Sequence, residues 1–161
     1  MTDTSIRLNL GCGNKKVEGF IGVDIKDADI VADIRDLPFE DESVDEIMAI
    51  HVCEHFYTHE IAHVLEEWIR VLKPGGRMAL ELPCLDKVLE HFARGSPINF
   101  TLWPLYGDPR THVDGEPALH KWCWSISQFR KLLNSVGLHD IYEETPHYHQ
   151  PSRDMRWVCR K

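Results

Sequence analysis

Two glycines, two aspartates and a histidine-bearing pentapeptide carry most of the chemistry that this chain of 161 residues can offer. Gly11 and Gly13 flank Cys12 directly after the apolar positions Ile6, Leu8 and Leu10. Glycines there permit a tight turn and let a ligand lie against bare backbone. Asp24 follows Ile21-Gly22-Val23, where a carboxylate at a strand end can accept from both hydroxyls of a ribose. Asp33 closes Ile30-Val31-Ala32, and its carboxylate can accept from the exocyclic amine of adenine while the next backbone N–H serves a ring nitrogen. Each residue alone also fits an ordinary strand-end turn, so the set, not any member, points to a nucleoside. Lys16 stands where the dinucleotide fingerprint G-x-G-x-x-G needs its third glycine, which argues against a nicotinamide cofactor.

His51-Val52-Cys53-Glu54-His55 follows a fourth apolar run at residues 45–50. Imidazole titrates near neutral pH, so His51 and His55 are the candidate general bases, with Glu54 and His120 as further candidates. Each also fits a hydrogen-bonded loop residue. The H-x-x-E-H spacing occurs in metalloproteases that place both histidines on one helix, whereas here it begins at a strand end. His59 and His63 are spaced i, i+4 but lie on the solvated face of the next helix. The expected site therefore includes no metal.

These residues need elements to position them. Short apolar runs at residues 6–10, 21–25, 30–33 and 45–50 read as strands separated by turn signals. Ile61, Val64, Leu65, Trp68, Ile69 and Leu72 share one helical face, with Thr58 as N-cap and Pro74-Gly75-Gly76 as the stop. A fifth strand follows at residues 77–82, completing a βαβ unit. Ser125 and Gln128 form a capping box for a second helix, Trp124 and Phe129 its staple, and Gly137 its C-terminal stop. Two late strands are expected near residues 138–144 and 153–160. Residues 95–124 show no period and carry Trp103, Tyr106, Trp122 and four prolines, which suits a substrate or lid insertion. Alternating strands and helices predict a single α/β domain over residues 1–161 with a mostly parallel sheet, whose ligands bind beyond the carboxyl ends of the strands.

Taken in order, Leu8-Asn9-Leu10-Gly11-Cys12-Gly13, Val23-Asp24, the run from Asp33 to Phe39, His51 to Phe56, and Val71-Leu72-Lys73-Pro74-Gly75-Gly76-Arg77 resemble the class I S-adenosylmethionine-dependent methyltransferases. The resemblance implies a three-layer Rossmann-like fold with an antiparallel C-terminal strand and S-adenosylmethionine as cofactor. It implies that Gly11, Cys12 and Gly13 pack on the methionine moiety and ribose, and that Asp24 binds the ribose hydroxyls with Ile25 against adenine. Asp33 and Ile34 would address the adenine edge, and His51 would lie near the transferred methyl. Two departures stand out. Asn9 occupies a position where the family usually has an acidic residue. Only residues 14–20 join the first two strands, where the family inserts a helix; seven residues span about 23 Å, enough to return along a strand of about 17 Å but not to form that helix. The expected fold is thus trimmed, with shortened connections between strands one to three. A non-catalytic nucleoside-binding or partner-interaction domain on the same fold is the alternative.

Lys and Arg number 18 against 26 Asp and Glu, a net charge of −8, which repels phosphate backbones and argues against nucleic acid. The expected acceptor is a small molecule or a glycan. Five scattered cysteines without a Cys-x-x-Cys pair read as reduced thiols, and no apolar run suits a membrane span or secretory signal, so a cytoplasmic location is expected.

Overall fold

The computed structural model describes residues 5–113 and 116–161; the tip of the expected lid insertion, residues 114 and 115, lies outside them. One seven-stranded sheet runs in the order β3-β2-β1-β4-β5-β9-β8. Its strands are β1 (Arg7–Leu10), β2 (Ile21–Asp24), β3 (Ile30–Val31), β4 (Val44–Ile50), β5 (Leu72–Pro83), β8 (His139–Glu144) and β9 (Asp154–Arg160). β1 to β5 are mutually parallel, and β9 runs antiparallel to both β5 and β8. The carboxyl ends of β1, β2, β4 and β5 therefore share one rim with the start of β9, where Pro83 pairs with Asp154.

Strand alternation divides the residues between two faces. Leu8, Leu10, Ile47, Ala49, Met78, Leu80, Leu82, Met155 and Trp157 belong to the apolar core. Helices α1 (Ile61–Val71) and α5 (Ile126–Ser135) bury Ile61, Val64, Leu65, Trp68, Phe129 and Leu133 in it. Trp68 satisfies its indole N–H on the Ile34 carbonyl at 2.8 Å. The capping box on Ser125 and Gln128 is present, and the Trp124 and Phe129 rings pack 5.7 Å apart. The start of α1 differs from expectation: the helix begins at Ile61, and residues 57–60 form a turn in which the Glu60 carboxylate accepts from the Tyr57 N–H at 2.9 Å. Thr58 is not the cap. Past Val71 the chain turns extended at Leu72 and enters β5 directly, and Lys73 pairs with Asp45 at 2.6 Å rather than serving the helix end.

The opposite face carries Arg7, Asn9, Glu46, Arg77, Glu81 and Arg156, and its cover comes from loop segments. Residues 11–20 and 25–29 form only turns, as the short connections require. Phe20 lies under the Arg7 guanidinium at 5.0 Å, and the buried Asn9 amide donates to the Lys15 carbonyl at 3.3 Å. Glu81 is almost wholly buried and accepts backbone N–H groups from His147, Tyr148 and His149 at 2.9, 3.0 and 2.9 Å. Arg156, also buried, donates to Glu81 and Glu144, each at 3.2 Å, and Arg77 pairs with Glu46 and Glu144. A ladder of ion pairs thus runs across this face of β4, β5, β8 and β9.

Beyond β5, helix α2 (Leu85–Ala93) and the single turns α3 (Ile98–Thr101) and α4 (Trp103–Tyr106) pack in succession, followed by the short hairpin of β6 (His112–Val113) and β7 (Glu116–Pro117). Among the described residues no helix is long and apolar enough to cross a membrane.

Removing one member of a buried, hydrogen-bonded ion pair costs about 3–5 kcal/mol. Glu81→Ala should therefore lower the free energy of unfolding in urea by that much, while Glu81→Gln, which keeps an acceptor for the three N–H groups, should lose less. Equal losses in equilibrium unfolding would show that shape and not the carboxylate holds the loop.

Candidate functional site

The bend after β1 has the conformation its glycines permit. Gly11 sits at φ +63°, and a Cβ there would lie 2.6 Å from Val52 Cγ2, so both backbone and packing demand glycine. Gly13 sits at φ +53° with nothing within 4 Å of a built Cβ, leaving an open approach. Asp24 ties the bend down: one carboxylate oxygen accepts from Gly13 N and the other from Ile25 N, both at 2.7 Å. Each oxygen keeps lone-pair capacity for a further donor, which suits two vicinal hydroxyls. Beside it Ile25 is 52% exposed, an apolar surface about half open to solvent.

Asp33 lies on the same rim, but its carboxylate is held in a two-point pair by Arg35 and also accepts the Arg35 N–H at 2.9 Å. That pairing holds the carboxyl below its usual range, with the Arg35 contact outweighing partial burial. The Ile34 carbonyl is taken by Trp68.

A cleft of about 750 Å³ opens at the rim. Gly11, Cys12, Gly13, His51 and His55 line it, together with Trp103, His120, His149 and Arg153 from later in the chain. The expected cofactor residues thus fall into two groups: Gly11, Cys12, Gly13 and His51 border the cleft, while Asp24, Ile25, Asp33 and Ile34 run along the strand ends outside it. The Cys12 thiol is pushed up by burial and by the neighbouring Asp24 charge, so it is protonated at neutral pH.

The densest cluster of titratable groups lies under the cleft. His51 caps β4 at φ +55°, a conformation uncommon for a residue with a side chain, and donates its backbone N–H to the Glu81 carbonyl at 2.7 Å. Its ring lies between two fully buried carboxylates: Nδ1 is 2.9 Å from Glu54 and Nε2 is 3.3 Å from Asp154. Burial alone would push His51 down, but the Glu54 and Asp154 charges outweigh it and hold the imidazolium up to about 9. Burial alone would likewise raise Glu54, and His51 outweighs it, holding the carboxyl down at about 2. Asp154 is held well below the carboxylate range for the same reasons, with Arg153 bonded to both its oxygens at 2.7 and 2.9 Å. The two carboxylates thus favour the protonated form of His51, which argues against its expected role as a base.

Three more histidines adjoin this group. His149 stacks on His51 with ring centres 3.9 Å apart, and burial followed by the His51 charge pushes it down to about 4. His120 is pushed down by burial, and its Nδ1 donates to the Pro104 carbonyl at 2.9 Å. His55 donates its Nδ1–H to the Leu119 carbonyl at 3.0 Å. The return of the lid segment is pinned here, since the N–H groups of Lys121 and Trp122 both donate to the Glu54 carbonyl, at 2.7 and 3.2 Å. His63 meets Glu66 on the exposed face of α1, as expected.

Sequence reasoning missed Asp154, Arg153 and His149, which approach β4 from the far end of the chain. No spacing signals that approach; it follows from the antiparallel pairing of β9 with β5.

A profile described as a methyltransferase domain matches residues 14–80. An uncharacterized methyltransferase of Schizosaccharomyces pombe is 34% identical over 115 residues, 63% of this chain and 44% of that one. A tRNA (carboxymethyluridine(34)-5-O)-methyltransferase of Arabidopsis thaliana is 37% identical over 90 residues, 45% of this chain and 22% of its own length. The solved structure of a SAM-dependent methyltransferase from Methanosarcina mazei superposes with a TM-score of 0.69 at 17% identity, covering 100% of this chain and 94% of that one. The chain spans less than half the length of these curated relatives. Over the parts these matches cover, the chain is similar to the S-adenosylmethionine-dependent methyltransferase family. The cofactor of that family is S-adenosylmethionine, and the open Gly13 backbone, the spare lone pairs of Asp24 and the half-exposed Ile25 fit its adenosine.

The His51 shift has a definite sign. Its folded value lies above 6.5, so its stabilisation is complete below about 6.5 and is lost as pH rises through about 9. Denaturant midpoints for the wild type should therefore fall between pH 7 and 10 by more than those of His51→Gln. Parallel curves for the two proteins would remove the imidazolium from the account.

Proposed function

We propose that this protein transfers the methyl group of S-adenosylmethionine to a small-molecule or glycan acceptor held in the cleft beneath residues 95–124. The observation that carries this reading is the continuity of the glycine bend and Asp24 with a cleft large enough for an acceptor. The cofactor supplies a sulfonium leaving group, so the chain's task is to align nucleophile, methyl carbon and sulfur. Gly11, Cys12 and Gly13 offer backbone to the methionine portion, Asp24 and Ile25 hold ribose and adenine, and the Ile34 N–H meets the adenine edge. Asp33 joins them only by keeping Arg35 as a second partner. His51, a buried cation beside the cleft, fixes the loop that carries Gly11's neighbour Val52. His55 and His120 are the groups that meet the acceptor atom.

The acidic charge of −8 and an enclosing segment rich in aromatic side chains support a compact acceptor over a long polyanion. The tRNA methyltransferase among the relatives favours nucleic acid instead. Transfer of labelled methyl to tRNA, but not to glycan or metabolite fractions, would establish that second reading and displace the first.

A hydrogen bond to a charged group contributes about 1.5–3 kcal/mol, so Asp24→Ala should weaken S-adenosylmethionine binding by about 10–100-fold in isothermal titration. Gly11→Ala should weaken it as well, because its Cβ would displace Val52. S-adenosylhomocysteine should bind, and a nicotinamide dinucleotide should not. A folded protein that binds no nucleoside would sink the enzymatic reading and leave the partner-interaction domain.

A further inference from the structure

Glu54 is fully buried, and neither carboxylate oxygen makes a hydrogen bond. His51 Nδ1 approaches one oxygen to 2.9 Å and answers the charge of Glu54. A buried carboxylate without a directional partner is costly. What faces it is a pair of imidazoles. One Glu54 oxygen and one ring nitrogen each from His55 and His120 lie within 4.8 Å of one another, with Glu54 Oε1 3.9 Å from His120 Nε2.

The two rings are prepared in the same way. Carbonyls only accept, so the contacts with Leu119 and Pro104 place the proton of each imidazole on Nδ1 and leave the Nε2 lone pair exposed. A backbone carbonyl on the far nitrogen is the outer-shell contact that fixes a metal-binding histidine in tautomer and direction. The rings stand edge to face at 88° with centres 5.0 Å apart.

We propose that Glu54, His55 and His120 form a binding site for a borderline first-row divalent cation, Zn²⁺ foremost, opening into the cleft. Two imidazoles and one carboxylate suit such a cation and leave positions for another ligand. Bonds of about 2.0–2.1 Å place tetrahedral ligand atoms about 3.3 Å apart, so side-chain rotation must draw these three atoms together by up to about 1.5 Å. His55 and His120 line the cleft, so an oxygen or nitrogen of a bound acceptor could complete the coordination.

The neighbouring trio His51, His149 and Asp154 is equally close in space but is not the site. Both ring nitrogens of His51 face carboxylates, and Asp154 is spent on Arg153 and on the Gln150 N–H at 3.1 Å. The spaced pair of His59, in the turn before α1, and His63, on α1, lacks a buried carboxylate, and His63 is engaged with Glu66.

The test needs neither cofactor nor acceptor, so its failure would leave the methyl-transfer reading standing, and failure of that reading would leave this one. Untagged full-length protein, stripped with a chelator and dialysed against Co²⁺ or Zn²⁺, should retain one ion per chain by elemental analysis, and the Co²⁺ form should absorb in the visible. His55→Asn and His120→Asn should each weaken retention by more than the roughly 10–100-fold that loss of an outer-shell contact costs. Glu54→Gln should do the same if it folds. His149→Asn and His63→Asn should bind like the wild type. Absence of a retained ion, or retention that survives loss of both His55 and His120, would overturn the assignment, as would loss of binding confined to His149→Asn.

Discussion

Two carboxylates without solvent, Glu54 and Asp154, govern the rim of the sheet. Each has to be ionised in a setting that opposes ionisation, and each is held so by the one imidazolium between them. That arrangement fixes much else. His51 must leave the end of β4 in a left-handed conformation to face both partners. β9 must begin directly opposite the end of β5, because Asp154 is paired with Pro83. Arg153 must stay on Asp154, since one imidazolium cannot offset two buried charges. A group in this position has a structural part to play, since it bridges both carboxylates from the end of β4.

The second outer layer of the fold is rebuilt in polar material. A helix between β1 and β2 would have covered Arg7 and Asn9, and seven residues cannot supply one. The sheet face instead presents Glu46, Arg77, Glu81, Glu144 and Arg156 in mutual contact, and Glu81 uses its remaining lone pairs to hold residues 147–149. The cost of taking Glu81 and Arg156 out of water is offset because Glu81 accepts four hydrogen bonds and Arg156 donates to two carboxylates. The same loop delivers His149 to the cleft, so the replacement for the missing layer also builds the site.

Much of this was legible in residue types and spacing. Gly11 and Gly13 marked the bend and the S-x-x-Q box marked α5, whereas Pro74-Gly75-Gly76, read as a stop before a strand at 77–82, lies inside β5, which begins at Leu72. The trimmed crossover followed from chain length alone. Helix α2 was overlooked although Leu85, Val88, Leu89 and Phe92 have helical spacing, because only Val88 is buried and the stripe is thin. The H-x-x-E-H spacing was judged by whether its own two histidines could share a helix. The structure separates them, with His51 turned to Asp154 and His55 turned to His120. His120 reaches Glu54 from 66 positions away because two N–H groups of the returning lid segment bond the Glu54 carbonyl, and no local pattern encodes such a meeting.

The loss of the helix after the glycine bend also bears on how the cofactor half of the site is anchored. A helix start would present free N–H groups and a positive dipole to a ligand. Here the bend has neither, and it is held by side chains on its flanks. Asn9 bonds the Lys15 carbonyl behind it, and Asp24 bonds the Gly13 N–H in front. Asp24 is thereby both the strut of the bend and the group with lone pairs left for a ribose, so binding of the sugar and shape of the turn cannot be separated in this chain. The uncharged Asn9 is consistent with that division: an acidic residue in its place would face the Lys15 carbonyl oxygen with no proton to give. The bend is therefore built from backbone geometry and one carboxylate, and the charged, buried groups gather at the cleft beside it.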